Sequence, residues 1–294
     1  MRINPNPTND ILAALWQTQQ NEQTALQEIS SGRRVNQPSD DPAAAAIYSG
    51  NVATESRIDQ YLQSVGSLRA QFQSADAALG SVVTALNQAI TLGTEAANGD
   101  MNPDNLQQIL QGVQGVLNQV LQLANTSFRG TYIFAGTATT TTPFVLNNGA
   151  VTYSGNSGVN DVAIADSRTL VTNKPGDQIF QNAAGDVFGS LQALVTALQN
   201  GDQTAAGTAT TAVGEALQRL SVERTFYGNN LNQLNGDESA LQQQNLNLKS
   251  QDNTLVGVDL AKAATDLSQA QTAHQATLSA AAQVLQPTLL DYLR

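Results

Sequence analysis

Apolar or small residues recur near one end of the chain at alternating steps of four and three, at Leu260, Ala264, Leu267, Gln271, His274, Leu278, Ala281 and Leu285. This spacing lays one narrow stripe along a helix, the seam that a coiled coil turns toward a partner. The other end repeats it at Leu12, Leu15, Gln19, Glu22, Leu26 and Ile29. Polar residues interrupt both stripes, Gln19 and Glu22 on one and Gln271 and His274 on the other. Two arrangements answer this pattern. In a closed bundle within one chain the polar seam residues fix register, as a buried Asn does in zippers. In an open one, the diluted seams are completed by helices from other subunits.

Between the ends the periodicity changes several times. Pro5 and Pro7 keep the first residues extended, and Asn9 or Asp10 can cap a first helix that runs to about Ser30 and stops at Gly32. A linker from Arg33 to Asp41 follows. Asp41 before Pro42 is a helix start, a capping carboxylate and then a proline whose missing N–H costs nothing there. The second helix is expected from Pro42 to about Asn98. Tyr61, Val65, Leu68, Phe72, Ala75, Leu79, Val82, Leu86, Ala89 and Gly93 keep step along it, over roughly 80 Å at 1.5 Å per residue. Asn102-Pro103 starts a third helix with Leu106, Leu110, Val113, Leu117, Val120 and Ala124 on one face. Two long helices joined by a tight turn are antiparallel neighbours.

From Gly130 to about Phe180 strand signals replace helix signals. Thr131 to Ala135 has strand composition. Phe144-Val145-Leu146 and Val151-Thr152-Tyr153, separated by Asn147-Asn148-Gly149, read as a hairpin, and two more short strands fall at Val162–Ile164 and Thr169–Val171. A short helix from Asp186 to about Gln199 precedes a long one with Val213, Leu217, Leu220, Arg224, Tyr227, Leu231, Leu234, Glu238, Leu241, Asn245, Leu248, Asp252 and Leu255 in step. Its register shifts around Val256 to Asp259. The expected fold is mainly α: an elongated antiparallel coiled-coil rod built from both chain ends, with a small β-rich domain inserted in the middle. Its parts are an N-terminal helix and linker (1–41), a helical hairpin (42–129), the β-rich insert (130–185), return helices (186–258) and a C-terminal helix (259–294).

Composition narrows the partners. Only 5% of the 294 residues are aromatic and 13% charged, which suits thin helices with small contact residues rather than a thick core. The net charge of −11 argues against a phosphate backbone as ligand, and no Lys/Arg cluster offers a patch for anionic lipid. With no cysteine, disulfides, thiolate metal sites and thiol catalysis fall away together. The first residues lack the charged and then apolar regions of a cleaved signal peptide, and no apolar run approaches membrane-spanning length.

Three stretches carry a resemblance. Ile29-Ser-Ser-Gly-Arg-Arg-Val-Asn-Gln-Pro-Ser-Asp-Asp-Pro-Ala-Ala-Ala-Ala46 resembles the signature early in flagellins and their relatives. The tail Gln283-Val-Leu-Gln-Pro-Thr-Leu-Leu-Asp-Tyr-Leu-Arg294, and Thr131-Tyr-Ile-Phe-Ala-Gly136 with Thr142-Pro-Phe144, are similar to the branch of that family that joins the flagellar filament to the hook. Flagellins more often carry alanine at the position of Pro42 and end in a different apolar motif. His274 stands where relatives often have tyrosine, and Asn156 where an acidic residue is common.

The resemblance implies a structural subunit of the bacterial flagellum, secreted and extracellular, with no cofactor. Its terminal helices would pair into an inner tubular layer, subunit against subunit, as a homo-oligomer. Its further partners would be a neighbouring hook-associated protein, filament flagellin, the flagellar export apparatus and a cytoplasmic chaperone. Segments that order only on assembly fit this picture, since ordering costs about 1–2 kcal/mol per residue and needs a partner to supply burial. Filament flagellin itself and a secreted helical adhesin are the competing readings.

Catalysis finds little footing. The single histidine lies on a seam, and one histidine without cysteine does not build the usual zinc set. Asp40-Asp41 is explained by helix capping, and the glycines from Gly155 to Gly158 lack a phosphate-loop lysine. The residues assigned to subunit assembly are therefore Leu12, Leu15, Gln19, Leu26 and Ile29 at one end, and Leu260, Leu267, His274, Leu278 and Leu285 at the other. Arg33, Arg34, Asp41 and Pro42 join them from the linker, where the arginines could meet carboxylates of a neighbour. The apolar tail adds Leu289, Leu290, Tyr292 and Leu293.

Overall fold

A computed structural model describes residues 7–98, 102–147, 149–182 and 185–285. The chain forms two compact units, one of residues 58–242 and one of the two chain ends, up to residue 57 and from residue 243 onward. In chain order the elements are α1 (Pro7–Ser31), α2 (Pro42–Asn98), α3 (Pro103–Ala124), β1 (Ser127–Phe128), β2 (Thr131–Tyr132), β3 (Phe144–Asn147), β4 (Ala150–Tyr153), β5 (Asp161–Ala165) and β6 (Arg168–Val171). Then come α4 (Gly176–Phe180), β7 (Gln181–Asn182), β8 (Gly185–Asp186), α5 (Val187–Asn200), α6 (Gln203–Val256) and α7 (Leu260–Leu285).

The helix starts follow from capping chemistry. An Asx side chain placed before a helix accepts one of the first N–H groups, which have no partner inside the helix. Asn102 accepts from the Asn105 amide at 2.9 Å, Asp186 from Gly189 at 2.9 Å, Asp202 from Ala205 at 2.9 Å and Asp259 from Ala261 at 2.9 Å. Asp41 does the same for Ala44 at 3.1 Å. At the end of α1, Gly32 takes φ +69°, the left-handed conformation that stops a helix without a Cβ penalty.

In the unit of residues 58–242 the stripe along α2 is buried from Val65 through Ala89. It meets α6 and the central insert in a run of aromatic contacts. Phe72 packs edge-on against Tyr227 at 5.7 Å, Tyr227 against Phe134 at 6.4 Å, Phe134 against Phe180 at 5.4 Å, and Phe180 against Phe144 at 5.3 Å. Phe188 of α5 closes the run 5.0 Å from Phe144. Every phenylalanine except Phe128 takes part in this cluster, so a sparse aromatic supply is concentrated in one place. A second cluster joins Ile109 and Val113 of α3, Leu194 and Leu198 of α5, and Ala206 and Ala209 of α6. Gly93 permits the close approach there, because a Cβ on it would sit 2.1 Å from the Thr210 hydroxyl.

Among the described residues the central region holds four separate two-stranded antiparallel ribbons rather than one sheet. The β3–β4 hairpin forms where the sequence predicts one, with Phe144 opposite Tyr153, but its ladder runs one pair further toward the turn than expected, to Asn147 opposite Ala150. The run from Thr131 is shorter as a strand than expected. Only Thr131 and Tyr132 pair, while Ile133, Phe134 and Ala135 turn inward and are buried. There the Phe134 carbonyl accepts from the Gly176 amide at 2.8 Å and from the Tyr153 hydroxyl at 3.0 Å. Asn156 ties the insert's turn together. Its Oδ1 accepts from the Thr137 and Gly158 amides at 2.8 and 3.0 Å, and its Nδ2 donates to the Thr137 hydroxyl at 2.8 Å. An acidic side chain at this position would lack that last donor.

Candidate assembly surface

The other unit is built from α1, α7 and the chain segments that connect them to α2 and α6. Residues leaving α1 meet residues leaving α6 in a short antiparallel bridge, Arg33 opposite Gly257. The Arg34 amide donates to the Val256 carbonyl at 2.8 Å, and the Val258 amide to the Gly32 carbonyl at 3.2 Å. This joint puts the end of α1 beside the start of α7, so the two helices run antiparallel. Thr18 and His274 mark the same level further along, with Oγ1 and Nδ1 3.2 Å apart.

The linker residues build the joint. Arg34 donates to the Asp41 carboxylate at 3.1 Å and to the Leu255 carbonyl at 3.1 Å. The Ala44 amide and the Arg34 guanidinium hold the Asp41 carboxyl below its usual range. Asp41 is thus both helix cap and ion-pair partner, and Pro42 is the first residue of α2. Arg33 lies over the Tyr48 ring at 4.8 Å. Arg33, Tyr48, Glu55, Lys249 and Asp252 line a polar cleft of about 260 Å³, and Asn51 donates to Asp252 at 2.6 Å.

The faces that α1 and α7 turn toward each other differ from the predicted seams by one residue at every second step. On α1 this face carries the buried and half-buried Ile11, Leu15, Thr18, Glu22, Ala25 and Ile29, with Glu28 half-buried beside it; on α7 it carries Ala263, Leu267, Ala270, His274, Thr277 and Ala281. Leu15, Ile29, Leu267 and His274 are where the sequence put them. Leu12, Leu26, Leu260 and Leu278 are 47%, 46%, 58% and 46% exposed, and Gln19 is exposed as well. Small residues explain the rotation. Ala25, Ala263, Ala270 and Ala281 let the backbones approach, and the leucines are left on the flank. Leu285 is the last residue of α7, and Leu289, Leu290, Tyr292 and Leu293 lie outside the described residues.

At the polar position of this face the Thr18 hydroxyl lies 3.0 Å from the Leu15 carbonyl and 3.2 Å from His274 Nδ1. That is a register contact rather than a proton-transfer site. Trp16, the one tryptophan of the chain, is 70% exposed on α1 and was not among the predicted residues. It stands four residues after Leu12, out of phase with the seam, and that same i, i+4 spacing on an outward face is the signal that marks it. Among the described residues no group of three His, Cys, Asp or Glu could hold a metal, and no helix is long and apolar enough to cross a membrane.

Fold and surface together define a class: mainly helical chains whose first and last helices pair and still leave large apolar side chains outward. Comparison with known proteins makes the class specific. The bacterial flagellin N-terminal helical region matches residues 4–139, and the bacterial flagellin C-terminal helical region matches residues 210–293. The chain belongs to the bacterial flagellin family. It is 28% identical over 278 residues to flagellar hook-associated protein 3 of Escherichia coli K12, covering 86% of this chain and 87% of that one. Among solved structures, a chain described as a flagellar hook-associated protein from Vibrio parahaemolyticus superposes with a TM-score of 0.69 at 21% identity, over 74% of this chain and all of that one (100%). The flagellar junction protein FlgL from Legionella pneumophila gives a TM-score of 0.59 at 16% identity, over 72% of this chain and 100% of its own. The family is structural, not enzymatic.

Proposed function

We infer that this chain is the structural subunit that joins hook to filament in the bacterial flagellum. The observation that carries the reading is the likeness to a hook-associated protein over nearly the whole of both chains, 86% and 87%. The outward leucines and Trp16 on the paired terminal helices support it, since a chain acting alone gains nothing by leaving them in water. The subunit works without chemistry. Its terminal helices stack against those of sister copies, and the two ends of the stack meet a hook-associated protein on one side and filament flagellin on the other. It reaches that place outside the cell through the flagellar export apparatus, escorted by a cytoplasmic chaperone. The linker residues Arg33, Arg34, Asp41 and Pro42 set the angle at which the terminal pair leaves the rest of its unit, and the tail from Leu289 to Leu293 adds apolar contact.

Deleting the gene tests the role directly. Cells are expected to carry hooks with no attached filament, and to shed filament protein into the medium. Filaments still anchored on the hooks of the deletion strain would overturn the assignment.

A further inference from the structure

The β5–β6 ribbon has two unlike faces. Leu170 stands opposite Val162 in the ladder, and Ile164 takes the next position on the same side of β5, so these three share one face. Ile164 and Leu170 are buried and Val162 is half-buried, whereas Asp161, Ala163, Thr169 and Val171 on the other face are exposed. No residue from 160 to 172 is aromatic, so the ribbon has no share in the ring cluster that anchors the rest of the insert. Among the described residues its ladder joins no other strand.

Polar contacts hold the ribbon at both ends. At its root the Thr172 amide donates to the Asn160 carbonyl at 2.7 Å, and the Asn160 amide to Asn173 Oδ1 at 2.7 Å, which ties the two legs together. Just beyond, Lys174 pairs with the buried Glu223 of α6, and the Gly176 amide donates to the Phe134 carbonyl at 2.8 Å. At the tip, the Tyr61 hydroxyl of α2 donates to Asp166 at 3.1 Å. Arg168 grips Asp237 of α6 with two nitrogens, at 2.6 and 3.0 Å, the fork geometry that makes such pairs strong. The spacings agree. Arg168 to Lys174 covers about 20 Å at strand rise, and Asp237 to Glu223 about 21 Å of helix. The ribbon thus runs along α6, with its root fixed beside the aromatic cluster and its tip held by charge.

We propose that residues 160–172 form a hinged arm that lifts from α2 and α6 as one piece, with the Arg168–Asp237 pair as its latch. The Asp237 side chain is only 9% exposed, while that of Arg168 is 53% exposed. Without Arg168 a carboxylate is left shut away from water, and breaking a buried pair by removing one partner is far costlier than replacing both by apolar groups. The arm is the part that yields. Its apolar contact is three aliphatic side chains, and segments with few buried apolar contacts open locally at less than the global unfolding free energy. Opening uncovers Val162, Ile164 and Leu170 together and lets water reach Asp237. The device is independent of the assembly role given above.

Hydrogen exchange on the full-length chain, read residue by residue, tests the arm. In the unsubstituted chain the hydrogen-bonded amides of β5 and β6 should share one protection, lower than that of α2 around Phe72. Arg168→Met should speed their exchange at least tenfold, by the same factor on both strands, and leave α2 around Phe72 and the β3–β4 hairpin unchanged. Adding Asp237→Leu to Arg168→Met removes the carboxylate that needs water, and should return the exchange of β5 and β6 toward its original rate. Unchanged exchange in Arg168→Met, or no recovery in the double variant, overturns the latch. Acceleration that spreads to α2 and the β3–β4 hairpin overturns the separate arm, because the ribbon would then open only with the rest of its unit.

Discussion

The stripe on α2 and the stripes on α1 and α7 obey the same arithmetic in the sequence and meet different fates in the fold. Along α2, Val65, Leu68, Phe72, Ala75, Leu79, Val82, Leu86 and Ala89 are all buried. Along the terminal helices only every second predicted position faces the partner helix, while Leu12, Leu26, Leu260 and Leu278 stay in water. The difference lies in how many elements cover the stripe. Phe72 is reached by Phe226 and Tyr227 of α6, and Tyr227 in turn by Phe134 of the insert, so burial closes around it. A lone helix pair covers one narrow face, and its alanines draw that face toward the small residues. Periodicity thus identifies which residues need covering; the number of neighbours decides which of them are covered within one chain.

The sharpest way to break this comparison is to truncate one large side chain in each region. Phe72→Ala removes a fully buried ring that packs on two others, and should cost about 3–5 kcal/mol in denaturant unfolding. Leu12→Ala at the terminal pair should change the stability of the dilute chain by less than about 0.5 kcal/mol, as surface substitutions do. Equal losses for the two would mean that α1 is held as firmly as α2. Hydrogen exchange sharpens the same point, with faster exchange expected for the amides of α1 and α7 than for those of α2 after residue 58.

Trp16→Ala separates folding from assembly. A large exposed aromatic on an assembly surface has the character of a hot spot, where truncation costs about 2 kcal/mol or more. That corresponds to roughly a thirtyfold rise in the concentration needed to assemble. The unfolding midpoint of the dilute chain should not move. A Trp16→Ala chain that assembles at the original concentration would remove Trp16 from the assembly surface.

Within the buried cluster a smaller change probes a different term. The Tyr227 hydroxyl is buried with no hydrogen-bond partner among the described residues. Burial, reinforced by the Glu223 charge, raises the hydroxyl's pKa and keeps it protonated. Tyr227→Phe keeps the ring contacts and removes an unpaired polar atom, so stability should stay within about 1 kcal/mol or rise. A loss as large as that of Phe72→Ala would show that the hydroxyl has a partner that stabilises it.

Much of this architecture is legible in the residue order. Asn102-Pro103 and Asp41-Pro42 announce helix starts, Gly32 announces a stop, and the α2 stripe reads through without a skip. Two features are hidden for physical reasons. Ile133, Phe134 and Ala135 have strand composition, but their neighbours offer aromatic rings rather than a ladder, so they pack instead of pairing. The turn between β1 and β2 uses positive φ at both Arg129 (51°) and Gly130 (84°), a two-residue turn suited to a hairpin that arginine does not advertise. On the terminal helices periodicity names Leu12, Leu26, Leu260 and Leu278 as seam residues, whereas their outward placement depends on alanine contacts, and the exposed Trp16 stands outside the repeat.

The smallest expected effect lies at the joint, where Asp41 serves both as cap and as ion-pair partner. Its carboxyl is held below the ordinary value of 3.8 in the folded chain, by the Ala44 amide first and Arg34 second. A depressed acid of this kind contributes stability that is present above that ordinary value and lost as the pH falls through the lower folded one. Protection of the Ala44 amide, corrected for intrinsic exchange, should therefore hold down to about pH 4 and decline below it. Asp41→Asn keeps an oxygen for the Ala44 amide but carries no charge to titrate, so the amide should stay protected while the acid-dependent decline disappears. If the decline persists in Asp41→Asn, the acid sensitivity belongs to another group, and the joint is held by the Arg33–Gly257 bridge rather than by the carboxylate.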